Sequence, residues 1–243
     1  MARSRPVKQK HALQRFASPS RGLSMLWHVL GVLSATGNFW YLVAYPNHVN
    51  LSFGWHLQYL TIIGLSLFLL TFLAGLTADV SMNRSFFALK NALSTLCTPL
   101  ETLVSVLYCS IVSYDRRLLM PDNLILNLSR KADIGFHFNP AFFLLIDYLL
   151  LSPPFRIGAF TALGIFSAFG VAYYQWLQYC HQRNSFWTYP LFEPLSPNQR
   201  FGVVAVSTIL GWCSFLILRV AWARTNGRSG LGRRSGVSKR KGQ

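Results

Sequence analysis

Six long apolar runs divide the sequence, and they restrict the fold more than any other feature. A hydrocarbon core of about 30 Å requires roughly 20 helical residues at about 1.5 Å per residue. Runs close to this length occur at 23–45, 57–77, 92–114, 134–151, 157–179 and 201–223. The sequence therefore predicts an all-α, polytopic membrane bundle of six transmembrane helices. The first run follows some 20 hydrophilic residues and lacks a small-x-small cleavage site, which favours a retained helix over a signal peptide.

Some runs are better candidates for transmembrane helices than others. The second, fifth and sixth are nearly uncharged. The third contains Pro99 and Glu101, and the short fourth run contains His137, Pro140 and Asp147. Re-entrant segments are therefore the alternative to full spans for the third and fourth runs.

Charge lies mainly outside these runs. The chain has 23 basic and 7 acidic residues and is 52% hydrophobic, a composition that argues against an ordinary soluble domain. Residues 1–21 include six basic residues and no acid, and seven more follow Ala223. The positive-inside rule places both tails in the cytosol, which an even number of spans permits. The expected organisation is a basic tail over 1–21, a membrane domain over 22–223 and a disordered basic tail over 224–243.

Several functional classes lack support in the sequence. The four cysteines form no C-x-x-C pair, the histidines form no H-x-x-x-H pair, and no Gly-rich phosphate loop occurs. We therefore expect no metal and no cofactor. The basic tails lack interleaved aromatics, which favours contact with anionic lipids over nucleic acid. The expected location is the endoplasmic reticulum, with the plasma membrane as the alternative.

Six polar side chains fall at membrane depth, where such groups are costly. Arg219 lies near a helix end and suits a snorkelling anchor. Glu101 and Asp147 suit structural hydrogen bonding as well as function. The full set is Thr61, Glu101, His137, Asn139, Asp147 and Arg219.

Thr61 and His137 form the most informative pair. Each lies a few residues into an even-numbered run, so both are expected about 5 to 6 Å below the same membrane face. Histidine is the usual base for activating a hydroxyl near neutral pH. Depth alone leaves a packing role open for both residues, since threonines in membrane helices commonly bond the preceding turn.

Four ordered segments resemble a known family. They are "YLTIIGL" from Tyr59, "SYDRRLLMP" from Ser113, "IGFHFNPAFFLLID" from Ile134 and "WTYPLFEPLSP" from Trp187. Together they resemble the androgen-induced protein and androgen-dependent TFPI-regulating protein family of multi-pass membrane threonine hydrolases. The resemblance implies hydrolysis of lipid esters such as fatty acid esters of hydroxy fatty acids, with Thr61 as the catalytic nucleophile and His137 as the base.

Several parts of this hypothesis are open at the level of sequence. Asp115 and Asp147 are the candidates for orienting His137, with a backbone carbonyl as the alternative, and Asn139 is a candidate oxyanion donor. The segment "WTYPLFEPLSP" suits a rigid interfacial turn or a lid over the site. The expected partners are a lipid ester and membrane lipids. The alternative function is a non-enzymatic multi-pass protein, such as a small transporter, a receptor-like module or a scaffold.

Overall fold

The described part of the chain is helical. The structure is a computed structural model that describes residues 13–15, 17–120 and 128–227, and these residues contain no β-strand. Seven α-helices lie in this part of the chain: α1 Leu23–Ala44, α2 Leu60–Ser81, α3 Arg84–Asp115, α4 Arg130–His137, α5 Asn139–Ile146, α6 Ala159–Asn184 and α7 Pro197–Asn226. A π-helical turn, Asp147–Leu151, continues α5.

Three of these helices are long and apolar enough to cross a membrane, namely α2, α3 (extended to Leu118) and α7. The bent pair formed by α4 and α5 with its π-helical turn provides a fourth if it is one span. The all-α membrane class is therefore confirmed for the described residues. The predicted first and fifth runs are also helical, as α1 and α6, but polar residues such as His28, Asn38 and Gln178 reduce their apolar character. Six spans and cytosolic termini stay predictions.

Prolines affect the third and fourth runs differently. Helix α3 continues for 32 residues through Pro99, packed against α2 and α7, so a re-entrant third run is wrong. The fourth run bends by 42° between α4 and α5, just before Pro140. Proline has no N–H to donate and its ring obstructs the carbonyl one turn back, which accounts for the break.

Side chains from neighbouring helices satisfy carbonyls freed at the bend. The Asn38 amide on α1 donates to the Gly135 carbonyl at 2.7 Å, and the Ser105 hydroxyl on α3 donates to the His137 carbonyl. Unpaired carbonyls inside a membrane protein are costly, so such donors stabilise broken helices. Gly135 permits this approach, because a Cβ there would lie 2.2 Å from Asn38 Oδ1. The bend therefore fixes the end of α4, where His137 lies.

The segment before α1 packs against the end of the bundle where α2 and α3 are joined. The Arg15 guanidinium lies 3.1 Å from the Asp79 carboxylate on α2, and the Ser20 N–H donates to the same carboxylate at 2.8 Å. Gln14 is buried and donates to Asn226 at the end of α7. Residues 1–12 and 228–243, which include most of both predicted tails, lie outside the described residues.

Candidate functional site

A cavity of about 620 Å³ lies at the end of the bundle where α2 begins and α3 ends. Its walls come from α1, α2, α3, α4, α6 and α7, and from the loop between α6 and α7. Thr61 and His137 both line it. Most other lining residues are aliphatic or aromatic, so the two predicted site residues share one largely apolar cavity.

Thr61 is the second residue of α2, whose first turn is held from outside the helix. The Tyr189 hydroxyl accepts the Leu60 N–H at 2.9 Å, and Tyr173 lies 3.2 Å from Tyr189, oxygen to oxygen. Tyr173 in turn donates to the Gln58 carbonyl at 3.1 Å. Among the described residues, the Thr61 hydroxyl has no hydrogen-bonding partner, so it is available to a molecule in the cavity.

His137 is the last residue of α4 and has a fixed ring orientation. Its Nδ1 lies 2.9 Å from Asp133 Oδ1 and 3.0 Å from the Asp133 carbonyl oxygen. Both partners are acceptors, so Nδ1 carries a proton, and in the neutral ring Nε2 is the basic nitrogen. Tyr108 stacks on the ring with a centroid separation of 3.5 Å and an interplanar angle of 8°.

Asp133 is itself held by two further side chains. The Tyr108 hydroxyl donates to Oδ1 at 2.5 Å, and the Arg116 guanidinium lies 3.1 Å from Oδ2. Tyr108 therefore contacts both the imidazole ring and the carboxylate. The arrangement joins α3, the turn after it and α4 around one histidine.

Of the sequence-based candidates for orienting His137, Asp115 and Asp147 are wrong, whereas the backbone-carbonyl alternative is met by the Asp133 carbonyl oxygen. Asp115 caps the short 3-10 helix after α3, where its carboxylate accepts the Arg117 N–H at 2.9 Å. Asp147 lies at the opposite end of the bundle. Asn139, the candidate oxyanion donor, points its amide to Ser34 at 3.4 Å and does not line the described cavity.

Asp133 was not among the predicted site residues, although its spacing from His137 in the sequence indicates a contact. It precedes His137 by four residues, and residues separated by four share one face of a helix. The predicted apolar run begins at residue 134, whereas α4 begins at Arg130, so Asp133 lies outside the predicted run. The roles of Tyr108 and Tyr189 depend on contacts between distant segments and have no comparable signal.

A second histidine, His56, lines the same cavity from the 3-10 turn before α2. Its Nε2 donates to Asn50 Oδ1 at 3.1 Å. Burial, with a smaller contribution from nearby His48, lowers the pKa of His56 to about 4. His56 is therefore neutral near pH 7 and adds no positive charge to the cavity.

The loop between α6 and α7 forms part of the cavity wall. Tyr189, Leu191 and Phe192 line the cavity, and Trp187 and Phe192 are buried. Arg200 lies 4.3 Å above the Trp187 ring, and the Thr188 hydroxyl donates to Gln58 at 3.1 Å. The segment is thus a packed turn that forms part of the cavity wall, and its role as a lid stays a prediction.

The other polar groups at depth lie away from the cavity. Asp147 belongs to a buried ionic network. Its carboxylate contacts Lys90 Nζ at 2.6 Å and His28 Nε2 at 3.2 Å, while His28 Nδ1 contacts Asp79 at 2.9 Å.

Two further polar groups also lie apart from the cavity. Glu101 is fully buried against Gly64, and Arg219 lies over the Phe215 ring. In the described part of the chain, no group of three or more His, Cys, Asp or Glu residues is placed to hold a metal ion.

Comparisons with known proteins agree with the motifs in the sequence. The family model for FAR-17a/AIG1-like proteins matches residues 23–221. The chain is 36% identical over 208 residues to the UPF0641 membrane protein of Schizosaccharomyces pombe (strain 972), an alignment that covers 84% of this chain and 92% of that protein. No solved structure matches the chain. The matched region contains the cavity, Thr61, Asp133 and His137, and the chain belongs to the FAR-17a/AIG1-like family.

Proposed function

We propose that the protein is a membrane-embedded lipid-ester hydrolase in which Thr61 is the nucleophile, His137 the general base and Asp133 the residue that positions the base. One observation carries this proposal. A threonine hydroxyl without a described partner and a histidine fixed through Nδ1 line the same apolar cavity. Helices α2 and α4, which carry them, are in contact.

The proposed base has the tautomer that the reaction requires. With Nδ1–H donated to Asp133, the lone pair of the neutral imidazole lies on Nε2. Nε2 takes the Thr61 proton as Oγ attacks, and the Asp133 carboxylate stabilises the imidazolium that forms. The Arg116 and Tyr108 contacts keep Asp133 in place during this change of charge.

The helix terminus supplies a means of stabilising developing negative charge. Thr61 lies in the first turn of α2, where the helix dipole favours an anion. Among the described residues, its backbone N–H has no hydrogen-bond acceptor. The N–H of the nucleophile itself serves as one oxyanion donor in other acyl-transfer sites, and we assign it that role here.

Two steps complete the reaction. The Thr61 Oγ–acyl bond forms, the ester C–O bond breaks, and His137 returns the proton to the departing alkoxide. Water then gives a proton to His137 and attacks the acyl-threonine, and this proton returns to Thr61 Oγ as the carboxylic acid is released. The complete reaction consumes only the ester and one water molecule.

The cavity suits a lipid substrate. Aliphatic and aromatic side chains form most of its surface, and the exposed apolar faces of the helices suit lateral entry from a bilayer. By family resemblance, we propose fatty acid esters of hydroxy fatty acids as substrates. Six spans, both termini in the cytosol and location in the endoplasmic reticulum belong to the same proposal.

Paired substitutions test the assignment of the nucleophile. Thr61→Val removes the hydroxyl while preserving shape, and we expect hydrolysis of a fatty acid ester of a hydroxy fatty acid to fall to background. The matched control is Thr71→Val on the same helix, because the buried Thr71 hydroxyl donates to the Leu67 carbonyl within its own helix. Rates are measured on purified protein in detergent and divided by the folded fraction.

The base is tested in the same assay. We expect His137→Gln to reduce hydrolysis by at least about 10²-fold, since general-base catalysis typically contributes this much or more. His181→Gln is the control, because His181 stacks on Trp187 in the loop and does not line the described cavity. Full activity in Thr61→Val or His137→Gln would refute the pair, and an inactive wild type would favour a transporter, receptor-like module or scaffold.

A further inference from the structure

Two sets of residues line the cavity beyond Thr61 and His137. One set, which forms the first branch, comes from the end of α1 and the loop after it. The other set, which forms what we call the acyl arm, comes from α3, α6 and α7 and includes positions deeper in the bundle. The acyl arm is defined by Leu100, Leu103, Phe166, Gly170, Val204 and Thr208.

The length of the acyl arm follows from the helices along it. Tyr108 stacks on His137 and marks the level of the site on α3. Leu100 lies eight residues deeper on α3, which corresponds to about 12 Å at 1.5 Å per residue. A hydrocarbon core of about 30 Å contains two leaflets of roughly 15 Å each. The acyl arm is therefore slightly shorter than one leaflet.

Close packing closes the deep end of the acyl arm. A Cβ at Gly211 would lie 3.1 Å from the Phe166 ring and 3.4 Å from Leu103, so α3, α6 and α7 meet there. Along the side wall, a Cβ at Gly170 would lie 2.2 Å from Thr208 Oγ1. Leu100 and Phe166 are each only 3% exposed. The arm is a closed pocket instead of a channel through the bundle.

The wall of the acyl arm is apolar despite its hydroxyl groups. The Thr208 hydroxyl donates to the Val204 carbonyl at 2.9 Å, and that of Ser207, which also lines the cavity beside the arm, donates to the Val203 carbonyl at 2.9 Å. Both therefore use their proton within α7. A hydrocarbon chain meets no competing free donor along these positions.

The other branch of the cavity is open. Ala44, Tyr45 and Pro46 line it and are exposed, with Tyr45 at 59%. In an acyl-transfer reaction, the alcohol departs first while the acyl chain remains attached to the nucleophile. The group that departs requires the open branch, and the group that stays suits the closed one.

From this geometry, we propose that the acyl arm holds the acyl chain of the attacked ester and that the depth of the arm sets acyl-chain specificity. The inference rests on the proposed hydrolase function. Each methylene of a chain that becomes buried in the arm should strengthen transition-state binding about fourfold. A longer chain meets the floor at Leu100 and Phe166, so the rate passes through an optimum.

Two substitutions of opposite effect test the acyl arm. Val204→Phe adds bulk within it and should move the optimum for 4-nitrophenyl esters to shorter acyl chains. Leu100→Ala lowers the floor and should move the optimum to longer chains. The matched control is Leu65→Ala, since Leu65 is fully buried and does not line the described cavity. Each variant is assayed with a series of saturated acyl chains, and rates are compared within that variant, which cancels differences in folded fraction.

The possible results separate the two proposals. Opposite shifts for Val204→Phe and Leu100→Ala, with the wild-type profile kept by Leu65→Ala, support the acyl arm. Active variants that all keep the wild-type profile would overturn the arm while leaving the hydrolase standing. If folded wild-type protein cleaves no ester of any length, both proposals fail.

Discussion

His137 depends on neighbours from two other segments, and Asp133 is the one that determines its tautomer. The carboxylate contacts Nδ1 at 2.9 Å, while Tyr108 and Arg116 hold the carboxylate. Asp133→Asn keeps the shape but offers either an N–H donor or a weaker acceptor to the ring. Because the wrong tautomer places the basic nitrogen away from the nucleophile, we expect kcat to fall by about 10²- to 10⁴-fold with little change in KM.

The control for this substitution is Asp115→Asn. Asp115 is exposed, caps the turn after α3 and does not contact the imidazole. We expect near wild-type kcat for this variant. Equal activity of Asp133→Asn and wild type would contradict the positioning role.

At the residue level, motif resemblance and matched depth predict Thr61 and His137, and both line the cavity. The Asp133 carboxylate was not predicted, because the apolar run begins at residue 134 whereas α4 begins at Arg130. Periodicity within a helix would have identified Asp133 once the boundary was correct. Contacts such as that of Tyr189 with the Leu60 N–H join residues 129 positions apart, and no local pattern indicates them.

At the scale of the element, the bend between α4 and α5 presents His137 to the cavity. Gly135→Ala tests the packing that holds the bend, because the added Cβ would collide with the Asn38 amide. We expect a loss of about 1 to 3 kcal/mol in the free energy of unfolding, typical of overpacking, together with reduced hydrolysis. Unfolding is followed by denaturant titration in detergent.

Gly164→Ala on α6 is the matched control, since a Cβ there would have no neighbour within 4 Å. It should leave stability unchanged or raise it slightly, because alanine has the higher helix propensity. Equal effects of the two substitutions would show that the Asn38 contact does not support the bend. The bend itself was foreseeable from Pro140, whereas the uninterrupted passage of α3 through Pro99 depends on packing against α2 and α7.

At the scale of the molecule, the apolar cavity and a buried ionic network occupy opposite ends of one bundle. Lys90 and Asp147 are fully buried and 2.6 Å apart, and His28 connects them to Asp79. Removing one partner leaves an uncompensated buried charge. We expect Asp147→Asn to lower the free energy of unfolding by about 3 to 5 kcal/mol, and Lys90→Met with Asp147→Leu to recover most of that loss.

A double-mutant cycle measures the coupling between Lys90 and Asp147. It compares Lys90→Met alone, Asp147→Leu alone and the two together, by unfolding in detergent. Arg21→Met is the control, because Arg21 is exposed and, among the described residues, donates to the Val80 carbonyl nearby. The folded fraction of each network variant should keep wild-type hydrolysis, since the network does not line the cavity. Additive single losses, or an active-site defect in well-folded network variants, would contradict this separation. The sequence identified Asp147 as costly but not its partners, which come from distant helices.

The central claim is that Thr61 carries the acyl group. The most direct measurement is peptide mapping by mass spectrometry after the wild-type protein reacts with a fluorophosphonate that bears an alkyl chain. We expect one phosphonylated site, at Thr61, with labelling lost in Thr61→Val and strongly reduced in His137→Gln. Stable modification at another residue, with Thr61 unmodified in protein that has lost its hydrolase activity, would contradict it.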